Sequence, residues 1–73
     1  MRITYDRQAN AVYVYLTDEP LTPGRTSTPA DPPDGVQAFI VLDWKDDRLV
    51  GLEVLDARER LHPDLLAEAE IIG

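Results

Sequence analysis

Two stretches of alternating apolar residues, Ile3 to Leu16 and Val36 to Leu55, occupy most of a 73-residue chain, and each contains its own turn. A period of two sends successive side chains to opposite faces of a strand, so each stretch reads as a β-hairpin. In the first, pairing Asp6 with Ala11 sets Tyr5 opposite Val12 and Ile3 opposite Val14. Ile3, Tyr5, Val12, Val14 and Leu16 then form one apolar face, and Arg2, Thr4, Tyr13 and Tyr15 form the other. The loop Arg7-Gln8-Ala9-Asn10 has turn chemistry: Asp6 can accept a backbone hydrogen bond two residues on, and Asn10 tolerates left-handed backbone.

The second hairpin turns at Lys45-Asp46-Asp47-Arg48. Pairing Trp44 with Leu49 puts Ala38, Ile40, Leu42, Trp44, Leu49 and Leu55 on one face. Phe39, Val41, Val50, Leu52 and Val54 occupy the other, so this hairpin is apolar on both sides and both need cover. Burying one Leu- or Phe-sized side chain contributes ~1.5 to 3 kcal/mol, so leaving five exposed would forgo more than a small domain can spare.

Between the hairpins, residues 17–35 carry Pro20, Pro23, Pro29, Pro32 and Pro33 with Gly24 and Gly35, the composition of a connection. Residues 24–28, with Arg25-Thr26-Ser27-Thr28, suit either a short edge strand or a loop. After the second hairpin, residues 62–72 have good helix formers, Pro63 at the first helical position and an early acid. Leu61, Leu65, Leu66, Ala69 and Ile72 supply an apolar stripe. The predicted fold is α+β: one domain, 1–73, a small antiparallel sheet of four to five strands with a C-terminal helix on one face. The second face is covered by the first hairpin folding over it or by another copy of the chain, and the second copy is preferred.

A chain of this length gains roughly 3 to 5 kcal/mol from its core, so an additional source of stability is expected. With no cysteine there is no disulfide, and one histidine does not build a zinc site. Self-association is the remaining source, which predicts a homodimer through the sheet. Fourteen acidic residues against seven basic give a net charge of -7. That field repels phosphate backbones and anionic bilayers, so neither nucleic acid nor membrane is an expected partner; the acidity serves solubility or, in a sharper reading, matches a basic protein partner. No apolar run reaches a membrane span and the start alternates too early for a secretory signal, so a cytoplasmic location is expected.

The segments Tyr5-Asp6, Asn10-Ala11-Val12-Tyr13-Val14-Tyr15-Leu16, Asp43 and Leu49-Val50-Gly51-Leu52-Glu53-Val54-Leu55-Asp56-Ala57 together resemble the bacterial domain of unknown function family 2283, from about Arg2 to Leu61. Where that family often has aspartate before Ala11 this chain has Asn10, and where it often has glycine in the second turn this chain has Asp47-Arg48. The resemblance implies a small β-rich domain with a C-terminal helical segment and no established activity. It also allows an antitoxin-like role, neutralising a basic partner, because some similar proteins are encoded beside toxin-like genes.

Few side chains are set aside for chemistry. His62 precedes Pro63 and reads as a helix boundary, and Ser27 lies in the proline-flanked connection with no nucleophile setting. Asp31, Asp34, Asp46 and Asp47 read as turn formers, not metal ligands. Glu53 faces Ile40 in the register above and lies on an otherwise apolar face, where its carboxylate needs a partner. It sits near the sheet margin, pairs with Arg2, Arg48 or Arg58, or is a pocket acid beside Tyr13 and Tyr15. Gly51 leaves room for an approaching backbone or ligand, and Asp43 and Asp56 end their strands and bond to turn amides. The expected role is non-catalytic protein binding without a cofactor. Tyr13 and Tyr15 are the aromatic anchors of that role, or else simply core, and Asp43, Asp46, Asp47 and Asp56 are an acidic rim. A small-molecule pocket near Glu53 is the alternative, and catalysis ranks last.

Overall fold

The computed structural model describes residues 1–20, 24–30, 33–35 and 39–73; the predicted face position of Ala38, the start of the second hairpin at Val36, and Pro23, Asp31 and Pro32 of the connection lie outside them. In chain order the elements are β1 (Arg2–Asp6), β2 (Ala11–Tyr15), β3 (Thr26–Pro29), β4 (Ile40–Lys45), β5 (Arg48–Leu55), α1 (Ala57–Arg60), α2 (Pro63–Glu68) and β6 (Glu70–Ile72). They build one six-stranded sheet in the order β3-β4-β5-β2-β1-β6, antiparallel throughout except for the parallel pair β1–β6. The sheet is thus larger than four to five antiparallel strands, and it is mixed.

The first hairpin has the register its alternation predicts, Asp6 opposite Ala11, Tyr5 opposite Val12 and Ile3 opposite Val14. Its loop closes as the turn chemistry requires. The Asp6 carboxylate accepts from the amides of Gln8 at 3.0 Å and Ala9 at 3.1 Å, and Asn10 is left-handed at φ 54°. This hairpin does not fold over the second. Instead β2 pairs edge to edge with β5, Val12 opposite Val54 and Val14 opposite Leu52, so the two hairpins share one sheet.

The second hairpin departs from its predicted facing. Trp44 does pair with Leu49, but Asp43 pairs with Gly51, which leaves Val50 as an extra residue in β5. Such a β-bulge slips the register by one, and a one-residue slip moves every side chain beyond it to the other face relative to the partner strand. Ile40, Leu42, Leu52 and Val54 therefore share one face with Val12 and Val14, while Val41, Asp43, Gly51 and Glu53 share the other with Tyr13 and Tyr15. The hairpin is more amphipathic than alternation alone suggests. Phe39, Val41 and Leu52 are all half-buried, and the Arg60 guanidinium covers the Phe39 ring 4.9 Å from its centroid.

The core lies on the first of these faces, here the helix face. Tyr5, Val12 and Ala57 are buried together, with Ile3, Val14, Leu61, Leu66 and Ala69 packed around them. Ala57 brings α1 down onto the sheet because Asn10 receives it: the Asn10 carbonyl accepts from the Ala57 amide at 2.9 Å, its Oδ1 from the Arg58 amide at 3.0 Å, and its Nδ2 donates to Glu59 Oε2 at 2.8 Å. Asp56, left-handed before α1, makes no side-chain cap and does not bond a turn amide with its carboxylate.

The C-terminal helix is shorter than predicted. His62 caps α2, its Nδ1 accepting from the Asp64 amide at 3.1 Å, and Pro63 opens the helix, but Ala69 is already extended at ψ 146°. Glu70, Ile71 and Ile72 form a strand instead. β-Branched residues favour extended backbone, and the open edge of β1 offers unpaired amides and carbonyls that a helix would leave bare. Thr4, Tyr5 and Asp6 pair with Glu70, Ile71 and Ile72, and Arg2 Nε meets Glu70 Oε2 at 3.1 Å.

Asn10 joins the first turn to α1 through three bonds, so Asn10→Ala should lower the free energy of unfolding in urea by about 1 to 2 kcal/mol, the range of a lost helix cap. Asn10→Gly keeps the left-handed backbone and the carbonyl bond to Ala57 but not the two side-chain bonds, and should recover only part of that loss. An unchanged denaturation midpoint for Asn10→Ala would contradict the coupling.

Candidate functional site

On the face opposite the helices, cross-strand pairing lays side chains out in rows: Asp43, Gly51, Tyr15 and Arg2 in one, and Val41, Glu53, Tyr13 and Thr4 in the next. Asp43 is only 3% exposed. A carboxylate taken from water needs donors, and two strands and the residue before β3 supply them. The Tyr13 hydroxyl of β2 donates to Asp43 Oδ2, the Ser27 hydroxyl of β3 donates to Oδ1 at 2.5 Å, and Arg25 Nη1 lies 3.5 Å from Oδ2. Asp43 thus ties β4 to β3 beside it and to β2 across β5, and bonds no turn amide among the described residues.

Tyr13 reaches Asp43 because nothing stands between them. A Cβ at Gly51 would lie 2.7 Å from both Cε1 and Cζ of Tyr13, so the space at Gly51 is filled by the tyrosine ring and not by a ligand. Tyr15 lies beside it, ring centroids 4.7 Å apart and planes tilted by 56°, within the separation favoured by aromatic pairs. The Arg2 guanidinium sits 5.1 Å from the Tyr15 centroid. Burial pushes the Tyr13 hydroxyl well above its ordinary pKa, and the hydrogen bond to Asp43 and the charge of that carboxylate add to it. Burial alone would raise Asp43, but the hydrogen bonds from Ser27 and Tyr13 and the charge of Arg25 outweigh it and hold the carboxyl below the ordinary aspartate value. Tyr13 stays protonated and Asp43 stays ionised.

These side chains border a groove of about 630 Å³, open along the sheet and not sealed. Arg2, Thr4, Tyr13, Tyr15, Arg25 and Glu53 line it, with Asp18 and Glu19 at one end and Ile72 at the other. Glu53 faces Val41 on one side and Tyr13 on the other, not Ile40, because of the bulge. Arg2 is engaged with Glu70 and Arg25 with Asp43, and Glu53 forms no hydrogen bond or ion pair among the described residues.

The sequence-predicted contact residues thus separate into two sets. Tyr13, Tyr15, Asp43 and Glu53 come together. Asp46 and Asp47 sit at the β4–β5 turn, both left-handed at φ 51° and 62°, and Asp56 lies beyond the far end of β5, so they form no common rim with Asp43. Sequence reasoning missed Arg2 and Arg25 as groove residues and Ser27 as a partner of Asp43. Arg2 carries a legible signal, since alternation already places it with Thr4, Tyr13 and Tyr15; the position of Arg25 depends on where β3 joins the sheet. Among the described residues no three acidic, histidine or cysteine side chains are grouped to hold a metal ion, and no helix is long and apolar enough to cross a membrane.

Asp43 carries the pH dependence of this face. A carboxyl depressed in the folded state contributes stability above its unfolded value of about 3.9, and loses it as pH falls through the lower folded value. Asp43→Asn should therefore flatten the acid limb of the stability profile below about pH 4. It should also cost about 1 to 3 kcal/mol at neutral pH, because the amide cannot accept from every donor around it. An acid limb identical to the parent's would refute the assignment. Gly51→Ala should destabilise by about 1 to 3 kcal/mol through overpacking against Tyr13, and Tyr13→Ala should relieve most of that penalty in the double variant.

The resemblance drawn from the two hairpins is upheld by direct comparison: the model of the family described as Protein of unknown function (DUF2283) matches residues 2–58, from the start of β1 into α1. No curated protein and no solved structure gives a match. The matched stretch includes all five strands of the two hairpins and the connection, together with every strand that supplies Asp43 and its donors, and the chain belongs to the DUF2283 family.

Proposed function

We propose that this protein is a non-catalytic binding module, and that its groove holds a basic segment of a partner protein. The observation that carries this reading is Glu53, a half-buried carboxylate beside the Tyr13–Tyr15 pair with no cation paired to it among the described residues. A carboxylate next to aromatic faces suits a lysine or arginine side chain, which gains both an ion pair and a cation–π contact. The groove's own two arginines are already engaged with Glu70 and Asp43, while Asp18 and Glu19 extend its acidic character. The net charge of -7 steers such a partner toward the protein. A non-catalytic role is favoured by the same chemistry: Tyr13 is held protonated and Asp43 is surrounded by donors, so neither is poised to exchange a proton near neutral pH. An antitoxin-like neutraliser of a basic protein is one form this role takes.

A second reading rests on the groove's size. Its volume of about 630 Å³ lies within the roughly 300 to 1000 Å³ of small-molecule sites, which points to an organic cation as an alternative occupant.

NMR titration of isotope-labelled protein separates the two. A lysine- and arginine-rich peptide should shift the amides of Thr4, Tyr13, Tyr15 and Glu53, the effect should weaken with salt, and Glu53→Gln should raise the dissociation constant about tenfold. Small amines acting alone, with equal dependence on Glu53, would favour the second reading. If an acidic peptide binds equally well, or Glu53→Gln changes nothing, the groove is not a cation site.

A further inference from the structure

The helix face is only partly covered, and we propose that its bare end is the interface of a homodimer. Leu61, Leu66 and Ala69 lie over Ile3, Tyr5, Val12 and Val14, at the β1–β2 end of the sheet. Nothing among the described residues covers the other end in the same way. There the register places Trp44 opposite Leu49, and the Leu16 amide donates to the Val50 carbonyl, so the apolar side chains adjoin around the bulge. Trp44 is 37% exposed, Leu49 36% and Leu16 40%, with half-buried Leu42 and Leu52 beside them. These are three of the seven large apolar residues left exposed among the described residues, and they form one strip.

The occupant is argued from area. A folded monomer of 8.2 kDa exposes about 4500 Å² by the scaling of surface with mass. This chain exposes 5194 Å². The surplus, about 700 Å² over the whole surface, is of the order of the roughly 800 Å² that each partner contributes to a standard interface, and the strip is one part of it. The shortest dimension of the molecule, 19 Å, is that of one sheet with a single partial layer on it, so the strip has room for a second layer. The turn beside the strip carries Lys45 and Arg48 together with Asp46 and Asp47. Charges of both signs at one patch suit a two-fold contact, in which the same surface must complement itself. With Glu19 also beside Leu16 and Leu49, acid and base stay near balance there, which gives a strongly basic partner little excess to match. The interface lies on the opposite side of the sheet from the groove, so this proposal stands or falls independently of the binding role.

Light scattering and sedimentation from low micromolar to millimolar protein provide the test, with Trp44, the chain's one tryptophan, as an internal probe. The mass should rise to twice 8.2 kDa, and Trp44 emission should shift to shorter wavelength over the same concentration range. Leu49→Lys and Leu16→Lys replace side chains already exposed in one copy; each should weaken self-association by about tenfold or more while far-ultraviolet circular dichroism stays unchanged. Constant monomer mass at the highest concentration overturns the proposal. So does a dimer that forms with Trp44 emission unchanged or resists both lysine variants, since its interface then lies elsewhere. A monomer whose Trp44 becomes buried only when a different protein is added assigns the strip to that protein and likewise overturns the second copy as its occupant.

Discussion

Val50 is one residue more than β4 can pair, and the facing of the second hairpin follows from it. In a continuous ladder Val41 and Asp43 would share a face with Leu52 and Val54, and Asp43 would point to the helix side. An ionised carboxylate there would have to reach past apolar neighbours for a donor, at a cost of several kcal/mol if left unpaired. The bulge gives up regular pairing at one position, a loss of about 1 kcal/mol per hydrogen bond. The larger penalty decides the outcome. With the extra residue in β5, Asp43 turns to the side where Tyr13 waits, while Ile40, Leu42, Leu52 and Val54 gather on the side that the helices begin to cover.

Asp43 then organises what surrounds it. Its donors come from β2, from β3 and from the residue just before β3, so the short edge strand is held by side chains as well as by its ladder. β3 has little else to hold it: all four of its residues are exposed, and Pro29 has no amide to donate. Trp44 adds a second tie, its indole donating to the Thr28 hydroxyl at 2.9 Å on the opposite face. Polar side chains thus do at the β3 edge what apolar burial does at the β1–β2 end. Gly51 is the condition for this, because any side chain there would occupy the space of the Tyr13 ring.

The first hairpin was legible in full because one rule governs it. Alternation is unbroken from Ile3 to Asp6 and from Ala11 to Leu16, and Asp6 and Asn10 have specific turn chemistry, so pattern and turn agree. His62 was legible as a cap for the same local reason. The second hairpin was not, since alternation cannot reveal a bulge that depends on what the other face requires. Its trace in the sequence is the adjacent apolar pair Leu49-Val50 followed by Gly51, a place where a strand can kink. The helix predicted for residues 62–72 failed at its end because propensity over Leu65 to Ala69 was extended through Ile71 and Ile72, whereas the free edge of β1 was a tertiary fact invisible to a local window. Glu53 was singled out on an incorrect pairing, yet its place beside Tyr13 follows from β2, which the pattern had not joined to β5.

The boundary of the family match adds a further step. It ends at Arg58, inside α1, so α2 and β6 lie beyond the matched stretch. Yet this segment closes the β1 edge, engages Arg2 through Glu70, and sets Ile72 at one end of the groove. The tyrosine–aspartate node lies within the matched stretch, and one end of the groove lies outside it. The lining of the groove is therefore set partly by residues outside the matched stretch, while the orientation of Tyr13 that gives it a floor is set within. If two copies meet through the strip around Trp44, both grooves face outward from the shared layer. A partner carrying two basic segments then binds the second groove at the effective concentration set by its own spacing, which raises avidity without any new contact in either groove.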